Sequence, residues 1–301
     1  MKLLVIIVTY NAMHWVERCF NSLQQSTVVP DVFVVDNGST DGTQAYIQNK
    51  YPKTIFQQSK INLGFGAANN IGLQYALDNN YDYVYLLNQD AWVMSETFEE
   101  LIKISKKNPE YGILSPFQLE ANCCHLDKNF AQYTCDWNSS HELLADLYNN
   151  NTKLVYSVPF VMAAHWFMTK ECIVCVGGFS PTFPHYGEDN NYCERVIYHK
   201  KKIGIIPSLK VVHDRENRVD DINKLVHFNY TFILKDLSSP FVRHSMPLIL
   251  VLKRTISAII HYRTIVPLKN MFRIIINYKR IIKNRKISMS TQCSFLSYKK
   301  Y

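Results

Sequence analysis

"DVFVVDNGSTDG", residues 31–42, runs apolar and β-branched up to a carboxylate, Asp36, and then breaks into a turn. An apolar run of that length without alternation is the pattern of a strand buried on both faces. The same grammar recurs on either side. "LLVIIV" (3–8) leads into Thr9, Tyr10 and Asn11, and "DYVYLL" (82–87) leads into Asn88, Gln89 and Asp90. Shorter strands are predicted at "KTIFQQ" and "GILSPF" (112–117). Helical spacing is predicted at about 13–25, 43–49, from "INLGFGAANNIG" (61–72) to about 77, and at 96–107. Strands alternating with helices over short connections specify an α/β protein with a mostly parallel central sheet. Ligands in such sheets sit beyond the carboxyl ends of the strands. Here three strand ends deliver polar groups to one rim.

The rhythm fails over 119–153, rich in Asn, Cys and His, which reads as an insertion. After it, "YSVPFVMAAHWFMTK" reads as one or two strands, "EDNNYCERVIYHKK" (188–201) as an amphipathic helix, and "IGIIP" and "LKVVHD" as two late strands. With 301 residues, 47% of them apolar, the chain is long enough for one large domain with an appendage. The net charge of +8 hides a split. Residues 241–301 hold thirteen Lys/Arg and no carboxylate, while residues 1–240 hold twenty Lys/Arg against twenty-five Asp/Glu. An acidic body, 1–240, and a basic tail, 241–301, are therefore expected to do different work. The opening "MKLLVIIVTY" is too short an apolar run for a leader and reads as a strand, so the eight cysteines are expected as reduced thiols in a cytoplasmic setting.

The 61–72 stretch follows a strand and opens a helix, the geometry in which backbone N–H groups face an anion. Its spacing is not that of the dinucleotide fingerprint, and a small-residue packing face explains it equally well. Asp90 at a strand end suits a hard divalent cation, with a helix N-cap as the plain alternative. Cys172 and Cys175 give half a zinc site with no second pair at suitable spacing, and His125, His141 and His165 are scattered; small apolar cysteines on a short helix are the simpler reading.

Taken in order, "VIIVTYNA", "VFVVDNGSTDGT", "NLGFGAANNIG", "LLNQDAWV", "HYGEDNNYCERV" and "VVHD" resemble glycosyltransferase family 2, and within it the rhamnosyltransferase-like bacterial enzymes of surface-polysaccharide assembly. The resemblance covers roughly residues 1–215 and leaves the tail outside. It implies a GT-A fold, a Rossmann-like nucleotide-binding sheet, carrying an inverting transfer from a nucleotide-diphosphate sugar to a glycan or lipid-linked acceptor. Thr9, Tyr10 and Asn11 would line the nucleotide pocket, and Asp36 would accept from a pyrimidine N–H. Asn62, Gly64 and Asn69 would shape the floor beneath nucleotide and sugar. "NQD" stands where the family carries Asp-x-Asp: Asp90 would hold Mg²⁺ or Mn²⁺, and Asn88 replaces the first acid, which removes one negative charge. His213 would complete the metal shell. Asp189 would be the general base, with Glu188 its neighbour, although two acids in a first helical turn are also what the helix dipole favours.

Two other functions stay open at this point. A sugar nucleotidyltransferase would want a Gly-rich, Lys/Arg-bearing segment after the first strand, and "TYNAMHWVER" has none. A catalytically lapsed nucleotide-sugar binder is supported only by Asn88. The tail interleaves apolar and basic residues, with Lys253, Arg254, Arg263 and Lys269 breaking the apolar runs, so it is expected to lie as amphipathic helices on an anionic membrane surface, peripheral on the inner face of the cell membrane, with an ordinary helical subdomain carrying a solvated basic face as the plain alternative. No RNA- or DNA-binding motif accompanies it, and nucleic acid is not expected as a partner.

Overall fold

The computed structural model describes residues 1–135, 137–215, 222–242 and 248–297. Among the described residues nine strands form one mixed sheet: β1 (Leu3–Thr9), β2 (Asp31–Asp36), β3 (Ile55–Gln58), β4 (Tyr83–Asn88), β5 (Ala91–Val93), β6 (Tyr111–Leu119), β7 (Tyr156–Ser157), β8 (His165–Thr169) and β9 (Lys202–His213). Their spatial order is β3-β2-β1-β4-β8-β6-β9-β5, with β7 on β9. The half β3-β2-β1-β4 is wholly parallel, and β8 runs antiparallel between β4 and β6.

The uninterrupted apolar runs have a direct cause. Leu4 and Ile6 point into one core and Leu3, Val5 and Ile7 into another, so the strand has no solvent face on which to place a polar residue. Each such side chain contributes about 1.5–3 kcal/mol on burial. The first core is roofed by α3 (Phe65–Asp78), α7 (Lys170–Val176) and α8 (Glu188–Tyr198), the second by α1 (Val16–Gln24), α2 (Thr43–Lys50) and α4 (Thr97–Lys107). Gly72 lets α3 approach β1, since a β-carbon there would come within 2.7–2.9 Å of Ile6.

Segment 119–153, read as an insertion, carries α5 (Lys128–Thr134), capped by Asp127, and α6 (Trp137–Tyr148). Two expectations are corrected. The two late strands are one strand, β9, whose register slips against β6 between Pro116 and Phe117, where Pro207 and Ser208 interrupt the apolar pattern. The helix predicted over 188–201 stops at Tyr198.

The basic tail is helical. α10 (Leu248–Tyr262) and α11 (Val266–Ser288) pack with α9 (Ile222–Ser238) around Ile233, Leu234, Leu237, Val251, Met271, Ile274 and Ile281, and Phe183 of the body joins that cluster. The chain then returns to the body. Cys293 is buried in the first core, its N–H donates to the Val174 carbonyl at 3.1 Å, and Gly178 N–H donates to the Ser294 carbonyl at 2.7 Å. Among the described residues no helix is long and apolar enough to cross a membrane.

Candidate active site

The parallel register brings the strand ends together. Thr9 pairs with Asp36, and Asn88 stands beside Val8. Thr9 Oγ1 donates to Asp36 Oδ1 at 2.9 Å. Asp36 is fully buried and also accepts from Ser39 Oγ, from the N–H groups of Gly38 (3.1 Å) and Ser39 (3.0 Å), and from Gln44 Nε2 (2.8 Å). Ionised carboxylates offer about four acceptor sites. The acceptor expected to read a base is thus already engaged in holding the 37–42 turn. Tyr10 is exposed on the rim, tied by its N–H to Gln89 Oε1 (2.7 Å). Asn11 takes a positive φ of 50° and its Oδ1 accepts from Thr40 N–H at 2.8 Å.

The small-residue stretch turns out to be mainly a packing surface. Asn62 Oδ1 accepts from Gly64 N–H at 2.9 Å, and buried Asn69 donates its amide to the Phe65 carbonyl at 2.9 Å. Gly64 has φ +81°, and a β-carbon on it would overlap the Pro184 carbonyl, well inside the 3.0 Å that real β-carbons keep. The stretch therefore braces the 180–187 loop that leads into α8. Asn70 clamps the same loop, accepting from Phe179 N–H (2.6 Å) and donating to its carbonyl (2.9 Å).

Asn88, Asp90 and His213 meet at the far side of the rim. β5 pairs antiparallel with β9 so that Ala91 lies opposite His213, and His213 Nε2 stands 3.5 Å from Asp90 Oδ1 and 3.4 Å from Asn88 Nδ2. Asp90 and His213 are both buried, so a hard carboxylate donor and a borderline imidazole donor converge at one point. Among the described residues no group of three or more His, Cys, Asp and Glu could hold a metal ion. Two protein donors nonetheless fit Mg²⁺ or Mn²⁺, which take one or two protein ligands and complete their shell from substrate phosphates and water.

Asp189 and Glu188 open α8 after Gly187, itself at φ +85°. Glu188 is buried, and its Oε2 has no hydrogen-bond partner among the described residues. Burial, and then the charge of Asp189, push its carboxyl up to about 8. Burial also raises the carboxyl of Asp189, while the N–H of Asn190 (2.8 Å) and the nearby Arg215 pull it down. A carboxylate held above its ordinary range is a better proton acceptor, which is what a general base needs.

Three residues escaped the sequence reading. Asp127, buried, accepts from Arg215 Nε at 2.6 Å and lies 3.7 Å from His213 Nδ1. Arg195, fully buried, donates to the carbonyls of Gly178 (2.6 Å) and Val176, with its guanidinium between the rings of Tyr192 and Phe295. No spacing signalled either the acid or the guanidinium. Of the histidines set aside, His165 is buried between Tyr85 Oη (2.8 Å) and the Val212 carbonyl (2.9 Å), and burial holds its ring down to about 3. His125 is exposed beside Glu120. Cys172 is buried against Gly112 in the core, where burial pushes its thiol up to about 12.

Sheet order, rim and acidic helix start together define a GT-A domain. The chain belongs to glycosyl transferase family 2, whose family model matches residues 4–168. It is 32% identical over 121 residues to the N-acetylglucosaminyl-diphospho-decaprenol L-rhamnosyltransferase of Mycobacterium tuberculosis, a stretch covering 37% of this chain and 39% of the relative. It is 32% identical over 92 residues to the O-antigen chain rhamnosyltransferase RfbN of Salmonella typhimurium, covering 30% of this chain and 29% of that one. The alignments thus span about two fifths or less of these relatives' lengths. S. aureus TarS 1–349 in complex with UDP-GlcNAc superposes with a TM-score of 0.57 at 15% identity, over 85% of this chain and 73% of that one. The mannosyltransferase PcManGT from Pyrobaculum calidifontis, in complex with GDP-Man and Mn²⁺, gives 0.56 at 16% identity, over 95% and 73%. At these identities the likeness concerns the fold.

Proposed function

We propose that this protein transfers a sugar, of the rhamnosyl type or a close deoxyhexose or hexose, from a nucleotide-diphosphate donor to a glycan or lipid-linked acceptor in surface-polysaccharide assembly, with inversion at the anomeric carbon. The observation that carries the reading is the placement of Asp90 and His213 on one side of a strand-end rim and of a raised carboxyl pair, Glu188 and Asp189, at the start of α8. The nucleotide lies over Thr9, Tyr10 and Asn11, beside the turn that Asp36 holds. Asp90 and His213 would hold Mg²⁺ or Mn²⁺, and the ion would supply positive charge to neutralise a diphosphate leaving group. Asp189 takes the proton from the acceptor hydroxyl as that oxygen attacks. Asn88 donates toward the rim instead of adding a second charge.

Family membership, rhamnosyltransferase relatives, and fold neighbours whose complexes contain UDP-GlcNAc or GDP-Man favour transfer over nucleotidyl transfer or mere binding. The anionic inner membrane surface is proposed as the working place. α10 and α11 leave Ile256, Ile260, Leu268, Phe272, Ile275 and Ile276 exposed beside Lys253, Lys269 and Arg273. Apolar insertion together with basic attraction is how amphipathic helices hold such a surface.

The test is thermal stabilisation by a panel of UDP-, GDP- and dTDP-sugars with Mn²⁺, run on the parent and on Asp90→Ala. One donor class should raise the melting temperature of the parent, and Asp90→Ala should lose both that shift and turnover. If no nucleotide sugar shifts the parent, or if excess chelator leaves turnover intact, the reading fails.

A further inference from the structure

We propose that Asp127 is the positioning residue for His213: its carboxylate holds the ring proton on Nδ1 and so turns a bare Nε2 toward Asp90. The proposal rests on the reading of Asp90 and His213 as metal ligands, and it concerns how that pair is prepared.

The His213 ring is clasped at both nitrogens. Nε2 faces Asp90 Oδ1 at 3.5 Å and Asn88 Nδ2 at 3.4 Å, whereas Nδ1 faces Asp127 Oδ2, at 3.7 Å. Nδ1 is buried and has no hydrogen-bond partner among the described residues. A buried polar nitrogen without a partner is costly, and a small shift of the ring satisfies it on Asp127. Ionised carboxylates have no hydrogen to give, so Asp127 and Asp90 each offer an acceptor to one ring nitrogen. The Asn88 amide nitrogen, which can only donate, needs a lone pair at Nε2 and so leaves the neutral ring's proton on Nδ1, toward Asp127. The neutral ring then presents its lone pair at Nε2, the only form in which that nitrogen ligates a cation.

Asp127 is itself held. Its Oδ1 accepts from Phe130 N–H at 2.7 Å and caps α5, and its Oδ2 accepts from Arg215 Nε at 2.6 Å. Arg215 also balances the charge of a carboxylate that is 1% exposed, a group too costly to bury alone. Carboxylate, imidazole and cation in series are a recurrent way to orient a ligand and raise its basicity, and loss of the outer carboxylate costs about 10–100-fold in metal affinity.

Asp127→Asn separates this role from the cap. Asn is as good an N-cap as Asp, so its oxygen stays on Phe130 N–H and α5 is retained. The amide NH₂ then replaces Oδ2 and faces both His213 Nδ1 and Arg215 Nε; Arg215 has to swing away from the donor now opposite it, Nδ1 has to accept, and the proton moves to Nε2. Asp127→Ser caps the helix with nothing that reaches the ring, and guards against a folding defect specific to Asn. Long-range ¹H–¹⁵N correlation on histidine-labelled, metal-free protein reads the tautomer directly, with His213→Asn supplying the assignment. It is recorded over a series of rising pH values until the spectrum stops changing, so that the neutral ring is the form read. The parent is expected to show His213 protonated on Nδ1, and Asp127→Asn to show it on Nε2. Mn²⁺ titration followed by electron paramagnetic resonance should show about 10–100-fold weaker binding in both Asp127 variants, with no further loss when either is combined with His213→Asn. An unchanged tautomer in Asp127→Asn, or a metal loss that adds to that of His213→Asn, overturns the proposal. If the tautomer switches while His213→Asn binds Mn²⁺ as the parent does, Asp127 still positions the ring, and it is the metal role of His213 that is refuted.

Discussion

Gly64→Ala should cost this protein both stability and turnover, and Gly42→Ala should cost stability alone. Both glycines have positive φ, +81° and +91°. At Gly42, where ψ is −1°, a β-carbon meets nothing within 4 Å, so alanine incurs only the left-handed penalty of about 1–2 kcal/mol. At Gly64, where ψ is 167°, the backbone lies in a region that only glycine occupies comfortably, worth about 1–3 kcal/mol. The added carbon also overlaps the Pro184 carbonyl, a backbone atom that cannot swing aside as a side chain would. Relief requires the 180–187 loop to move, at about 1–3 kcal/mol for a forced overpacking. The sum at Gly64 is about 2–6 kcal/mol against about 1–2 at Gly42. At the ~2–4 °C per kcal/mol of domains of about 150–250 residues, Gly64→Ala should melt several degrees below Gly42→Ala. The displaced loop leads directly into Glu188 and Asp189 at the start of α8, so turnover should fall with it, about 10²-fold for a shift near 1 Å. Calorimetry on the two variants, with nucleoside diphosphate release measured on each, checks both halves. Equal melting temperatures, or a Gly64→Ala enzyme as active as Gly42→Ala, would refute the idea that the small-residue stretch braces the catalytic loop.

Glu188→Gln should flatten the pH dependence of stability. In the unfolded chain this carboxyl ionises near its ordinary 4.5, and in the folded protein near about 8, so its contribution is full below 4.5 and is lost as pH rises to about 8. Denaturation midpoints at acid and alkaline pH should therefore differ less in the variant, and an unchanged slope would put the buried cost elsewhere. For the same reason the acid limb of the rate profile should lie above the ordinary aspartate range, because Asp189 is raised by burial and, as the proposed base, would have to be ionised to act. The full chain should sediment with anionic vesicles, less at high salt but not at zero, and Ile260→Glu with Ile276→Glu should remove the salt-resistant part. Those side chains are 71% and 80% exposed, so the core is not disturbed; binding unaffected by the pair would remove the membrane reading.

Where the chain is buried on two faces, its fold is legible. β1, β2, β4 and β6 fall within a residue or two of the apolar runs, because a strand between two cores has no polar positions to obscure the pattern. β8 is harder to read, since it carries His165 at full burial, satisfied by Tyr85 and by a carbonyl 47 residues away. β9 looks like two strands because Pro207 sits at a register slip that only the β6 pairing reveals. The site divides in the same manner. Asp90, His213, Glu188 and Asp189 stand at strand or helix ends whose position follows from local pattern. Asp127 lies in an irregular segment and becomes part of the site only through Arg215, 88 residues on, and His213. The tail reads as a separate basic arm from charge alone, yet Cys293 and Ser294 are held by the body through contacts that charge does not register. A chain cut at Ser239 would leave Phe183, Ile233 and Leu237 without their partners on α10 and α11.

The central claim is that Asp189 is the base of a sugar transfer, and Asp189→Asn tests it most directly. Asparagine keeps the shape, the helix start and the bond to Asn190, and removes only the ability to take a proton. With the donor identified by the thermal panel, release of nucleoside diphosphate in the presence of acceptor should fall about 10²-fold or more, while the donor's stabilising shift stays near that of the parent. An Asp189→Asn protein that turns over within twofold of the parent would contradict the account, whatever else the site proves to bind.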